Sequence, residues 1–213
     1  MYLPSPFAES DPVELHRIIR QHPFGVLVTG GPAGLEANHL PFVLDGSRGP
    51  NGTLIAHVAR ANPVWTLLRD GDPVLVVFRG AHGYISPSWY ASKQETHRHV
   101  PTWNYEAVHA HGRASIHDDE KAVRGMVARL TRQQESALPE PWKMSDAPAD
   151  YLAEELGHIV GMEIEITRLE GKRKLSQNRD DRDFDSTVSA LEGRGQHELA
   201  EAMTRARKAG RRD

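Results

Sequence analysis

Three stretches of the chain gather side chains able to do chemistry. The first is HVARANP, His57 to Pro63. It combines a strand end, a cation in Arg60, a capping asparagine in Asn62 and the start of a helix. Backbone N–H groups at a helix start and a guanidinium fork both favour an oxyanion, so the stretch suits a phosphate. The plainer alternative is an ordinary strand-to-helix turn with a solvated arginine. The second is Tyr84 to Gly112, where Trp89 with Tyr90 and Trp103 with Tyr105 sit among Ser86, Ser88, Lys93, Thr102 and Asn104. Flat aromatic faces flanked by donors can enclose a planar ligand; an oligomer interface or a core corner is the competing reading. The same stretch carries His97 with His99 and His109 with His111. If extended, each pair shares one face, a spacing that zinc, nickel or a haem iron can use, although imidazoles of this kind are more commonly solvated or bonded to backbone. The third is KLSQNR, Lys174 to Arg179, which offers an ammonium, a hydroxyl and two amides in succession.

Several classes of chemistry are excluded or left without a signature. With no cysteine, the chain has no disulfide, thiolate metal site or thiol nucleophile. No Gly-x-Ser-x-Gly, Walker loop, dinucleotide fingerprint or His-Glu-x-x-His is present, and nothing fixes a triad around Ser86 or Ser88. A formal net charge of −3 gives no global footprint for nucleic acid. Local basic residues Arg205, Arg207, Lys208, Arg211 and Arg212 are the candidates for DNA phosphates, against a solvated tail. No apolar run is long enough for a membrane span and no basic-then-apolar leader opens the chain, so a cytoplasmic location away from membranes is expected. Twelve histidines make the charge sensitive to pH between about 5 and 7.

The elements that must position these groups are β-rich. Ser10 or Asp11 before Pro12 starts a helix that Pro23 ends. Runs beginning at Gly25, Leu35, Thr53 and Pro73 read as strands, and the short connections GGPAG and GSRGPNG predict an antiparallel meander of the first three. Asn62 caps a short helix with Pro63 at its first position and Trp65 and Leu68 inward. TWNYEAVHAHGRASIH reads as one long strand with Val108, Ala110 and Gly112 on one face and His109, His111 and Arg113 on the other. Asp118 caps a helix to about Ser136, a short helix covers 149–156, and HIVGMEIEITRLEG is the last strand. Two helical patterns follow, and the final ten residues are expected to fray.

Five motifs in order, MYLPSPF, AHVARANPVW, YISPSWY, VPTWNYEAVHAHG and KLSQNR, resemble the PaiB-type family of FMN-binding negative transcriptional regulators, over Met1 to about Leu191. The resemblance implies a β-rich α+β fold, an antiparallel split β-barrel with peripheral helices. A barrel domain would cover residues 1–170, with a C-terminal helical extension over 171–213. It implies FMN held at a homodimer interface, its phosphate at the end of the third strand and the start of the next helix. That layout falls on His57, Val58, Arg60 and Asn62, with Asn38, His39 and Leu40 running beside the ring. Trp103, Asn104, Tyr105, Lys174, Ser176, Gln177 and Asn178 are then candidates to reach the flavin from the same or the partner subunit. Transcriptional repression through DNA is part of the imported description, yet no helix-turn-helix stands out. FMN-dependent oxidoreduction, or haem or metal bound by the histidine strand, are the alternatives.

Overall fold

A computed structural model describes residues 1–31 and 34–210. Its helices are α1 (Pro12–Gln21), α2 (Val64–Leu67), α3 (Lys93–Thr96), α4 (Glu120–Glu135), α5 (Ala149–Gly157), α6 (Asp181–Glu192) and α7 (His197–Ala209). Its strands are β1 (Ala8–Glu9), β2 (Phe24–Gly31), β3 (Gly34–Pro41), β4 (Val43–Asp45), β5 (Thr53–Ala59), β6 (Pro73–Ile85), β7 (Thr102–His117) and β8 (Ile159–Lys174). The sheet runs in the order β3-β2-β6-β7-β8-β5-β4, with β1 paired to the end of β8. The fold is the expected antiparallel split β-barrel with peripheral helices. The chain divides into two compact units, one made of Met1–Ile18, Arg79–Val108 and Glu170–Asp213, the other of Ile19–Phe78 and His109–Leu169.

In the second unit the predicted hairpins form, but not as one meander. The stretch from Leu35 to Asp45 is two strands broken at Phe42, which is 1% exposed and gives its N–H to the Pro23 carbonyl. Before the break β3 pairs with β2, from Phe24↔Pro41 to Gly31↔Gly34; after it β4 pairs with β5, from Val43↔Ile55 to Asp45↔Thr53. β3 and β4 therefore stand at opposite ends of the strand order while only one residue separates them in sequence. The sheet of this unit must curl, and β3 comes into contact with β5. The apolar run Leu40 to Leu44 hides the break in sequence, although β3 is exposed over most of its length while Phe42, Val43 and Leu44 are buried in succession.

The same unit holds α4, whose Met126 and Leu130 pack with Val43 and Ile55. Gly161 on β8 makes room for α4, since a Cβ there would sit 2.5 Å from the Met126 sulfur. Gly112 lets β7 and β8 approach, since its Cβ would lie 2.5 Å from Ile164 Cγ2 and 2.6 Å from the Glu165 carbonyl oxygen. The cap of α4 is Asp119, which accepts from the Ala122 N–H at 2.9 Å, one residue after the Asp118 expected.

In the first unit, Asp11 accepts from the Val13 N–H and starts α1 as anticipated. A second core joins Ile85, Tyr90 and Leu175 to Phe184, Leu191, Leu199 and Met203 of α6 and α7. α7 continues to Ala209, and Ala206 on it is 8% exposed. Arg211 and Arg212 lie outside the described residues.

Candidate functional site

The candidate site lies in the second unit, where β5 runs into α2. α2 is a single turn, and its first free N–H, that of Val64, is already given to Asn62 Oδ1 at 2.9 Å. Asn62 Nδ2 in turn donates to Asn38 Oδ1 at 2.7 Å, tying the turn to β3. Asn38 Nδ2 is buried with no hydrogen-bond partner, and so is Nδ1 of His57 on β5. Burial pushes the His57 imidazole below its ordinary value, so it is neutral at pH 7. Leu40 and Val58, the neighbours expected beside them, are core residues; His39 is exposed, with its ring 6.1 Å from that of Phe24.

Arg60 is not the free cation that the sequence suggested. Its Nη2 donates to Asp118 Oδ1 at 2.5 Å and to the Ile159 carbonyl at 3.3 Å, and its Nε donates to the Gly157 carbonyl at 2.6 Å. The same hydrogen bond holds the Asp118 carboxyl below its usual value. Trp65 Nε1 donates to the Arg60 carbonyl, and the guanidinium lies 5.8 Å from the Trp65 ring centroid. What the turn offers is a set of uncharged hydrogen-bonding groups held on a frame. An unpaired buried amide costs roughly 1–3 kcal/mol, which an acceptor from a ligand would recover. The polar edge of a flavin ring fits that requirement.

The remaining candidates fall in the first unit, and their polar atoms are largely paired within the chain. Asn104, 1% exposed, donates to Ser176 Oγ at 2.9 Å and contacts the Met203 sulfur. Gln177 Nε2 donates to the Arg173 and Pro6 carbonyls while its oxygen accepts from the Leu175 N–H. Lys174, pushed below the ordinary amine value chiefly by burial, donates to Thr102 Oγ1 and to the Trp103 carbonyl. Lys172 Nζ stands over the Tyr105 ring, and Asn178 is exposed. Trp103 keeps an open indole, half exposed and stacked on His82 at 6.0 Å.

The histidine pairs diverge. His109 and His111 share the half-buried face of β7 with ring centroids 6.4 Å apart. His97 and His99 do not share a face: His97 has φ +51 at the end of α3, and His99 turns inward. There His99 Nε2 is 2.8 Å from Ser92 Oγ, which donates to the buried Asp183 at 2.8 Å. That group was missed by sequence reasoning, because its members span 91 residues. Among the basic residues, Arg207 is turned onto Asp181 and the Arg179 carbonyl, and Arg205 lies 4.0 Å from Glu14.

A family profile described as "Putative FMN-binding domain" matches residues 1–168. An uncharacterised protein of Emericella nidulans is 36% identical, covering 92% of each chain. The "Protease synthase and sporulation protein PAI 2" of Bacillus subtilis is 31% identical over 90% of this chain and 89% of its own. Among solved structures, an FAD- and haem-binding protein of Mycobacterium smegmatis is similar in fold, with a TM-score of 0.57 at 15% identity, covering 86% of this chain and 79% of that one.

Proposed function

The chain belongs to the FMN-binding domain family, and from that premise we propose that it is a dimeric flavoprotein holding FMN against β3, β5 and the α2 turn. The observation that carries the reading is the pair of buried, unpartnered polar atoms, Asn38 Nδ2 and His57 Nδ1, on two strands in contact. Asn38 and His57 hold the flavin, while Asn62 orients Asn38. FMN, when bound, supplies reversible one- and two-electron transfer; the protein contributes position and electrostatics. A neutral His57 adds hydrogen bonding without a full charge.

Dimerisation is supported by β3. It ends the strand order and exposes most of its length, including Leu35 at 85%, and at the other end of the hairpin Phe24 of β2 is 65% exposed. An uncovered sheet edge with apolar side chains invites pairing with another chain. No helix among the described residues is long and apolar enough to cross a membrane. The repressor role that the family resemblance implies does not find its DNA surface on α7, whose exposed first turns carry Glu198 and Glu201 and would repel phosphate. We assign repression, where it occurs, to the flavin-loaded dimer as a whole.

The test is titration of the purified protein with FMN, followed by flavin fluorescence and absorption. Saturable quenching with two flavin bands supports the reading. No binding tighter than about 100 μM refutes it. An intense Soret band in the protein as isolated would replace it by haem. Lack of salt-dependent binding to its upstream DNA would remove direct repression.

A further inference from the structure

We infer that Asn62 and Asn38 form an amide relay that fixes the hydrogen-bonding polarity of the flavin site, so that Asn38 reads an uncharged acceptor on the ring, not the phosphate. This rests on the flavin reading above and sharpens it.

The direction of the relay follows from donor chemistry alone. The Val64 N–H can only donate, so the Asn62 atom 2.9 Å from it is its amide oxygen. The other Asn62 atom is then the nitrogen, which also only donates, and its partner 2.7 Å away on Asn38 must be the oxygen. No choice of amide flip remains at either residue. Asn38 is left presenting a nitrogen, buried and without a partner. A backbone N–H thus sets, through two side chains, what β3 offers: a donor.

The charge of the site selects between the two ends of FMN. The guanidinium of Arg60 is occupied by Asp118 and two backbone carbonyls. The one-turn α2 has its Val64 N–H taken by Asn62. His57, kept neutral by burial, adds no positive charge. A phosphate dianion would find donors there without a free cation. A carbonyl or imine acceptor of the pyrimidine edge needs a neutral donor, which Asn38 supplies. The relay makes Asn62 a positioning residue, since it acts through Asn38.

Two substitutions separate these ideas. Asn62→Asp keeps an oxygen for the Val64 N–H but puts a second oxygen against Asn38, which must turn its nitrogen toward it and face the ligand with oxygen. Asn38→Ala removes the donor without adding charge. Dissociation constants for FMN and for riboflavin, which lacks the phosphate, are measured by fluorescence quenching, and melting curves check that both variants are folded. The expected result is a loss of about 10- to 100-fold in affinity for both ligands in both variants, with FMN and riboflavin falling by the same factor in Asn38→Ala. Unchanged affinities in Asn38→Ala overturn the relay. A fall for FMN alone in that variant also overturns it and returns the site to the phosphate. Failure of the unmutated protein to bind either flavin refutes the flavin reading itself, and the relay's role with it.

Discussion

Glu106→Gln isolates what a buried charge contributes in the first unit. Glu106 is 1% exposed and accepts from Arg17 Nη2 at 3.1 Å and Arg173 Nε at 3.0 Å. The Arg173 side chain, 4% exposed, also pairs with Glu9 at 3.2 Å and Glu14 at 3.0 Å. Arg17 is held by Glu14 through two further bonds. The substitution preserves shape and can keep the one oxygen, Oε1, that accepts both arginine bonds, so what it removes is the negative charge. Breaking a buried ion pair costs about 3–5 kcal/mol, and since both arginines keep other carboxylates, a smaller loss of roughly 2–3 kcal/mol is expected. For a chain of this size that corresponds to a fall in Tm of about 5–10 °C. Calorimetry or circular dichroism reads it directly. A fall under about 2 °C would mean that the network is solvated in solution, and the argument from burial would fail. The double variant Glu106→Leu with Arg173→Met removes both charges and should recover much of the loss, because neither is then left alone.

Three further outcomes follow from local geometry. Asp119→Ala removes the α4 cap and should cost about 0.5–2 kcal/mol in urea unfolding, whereas Asp118→Ala leaves the helix intact and frees Arg60 instead. Gly112→Ala forces a methyl against Ile164 and the Glu165 carbonyl; the strain should destabilise by about 1–3 kcal/mol, measured by chemical denaturation. Burial raises the Asp183 carboxyl, but the Ser92 N–H and hydroxyl, together with the His99 and Arg179 charges, outweigh it and leave the carboxyl below the ordinary value. Its stabilisation is therefore present above about pH 4 and is lost as pH falls through the depressed value. Ser92→Ala should move the acid-unfolding midpoint, followed by tryptophan fluorescence, to higher pH; no movement would detach Ser92 from Asp183.

What sequence could reveal depended on how far apart the partners lie. β7 was legible over its whole length because alternation is a local property. The same alternation places Glu106 on the face of Val108, a buried acid that must have a cation, but α1 and β8 supply those cations from 89 and 67 residues away. Arg60 looks free in the sequence because its local neighbours give it no carboxylate. Its partner, 58 residues on, became visible only when the α4 cap moved by one residue and released Asp118. The break at Phe42 escaped for the opposite reason, since its apolar pattern is equally satisfied by one long strand. Asn62 shows where the two kinds of information meet. Its capping of Val64 follows from residue type and spacing, and that one bond fixes the orientation of its amide; only folding brings Asn38 to the amide's other end. The chemistry of the site is thus set locally at Asn62 and expressed at β3, so a test that alters polarity without altering size at position 62 probes the part of the function that sequence alone could not reach.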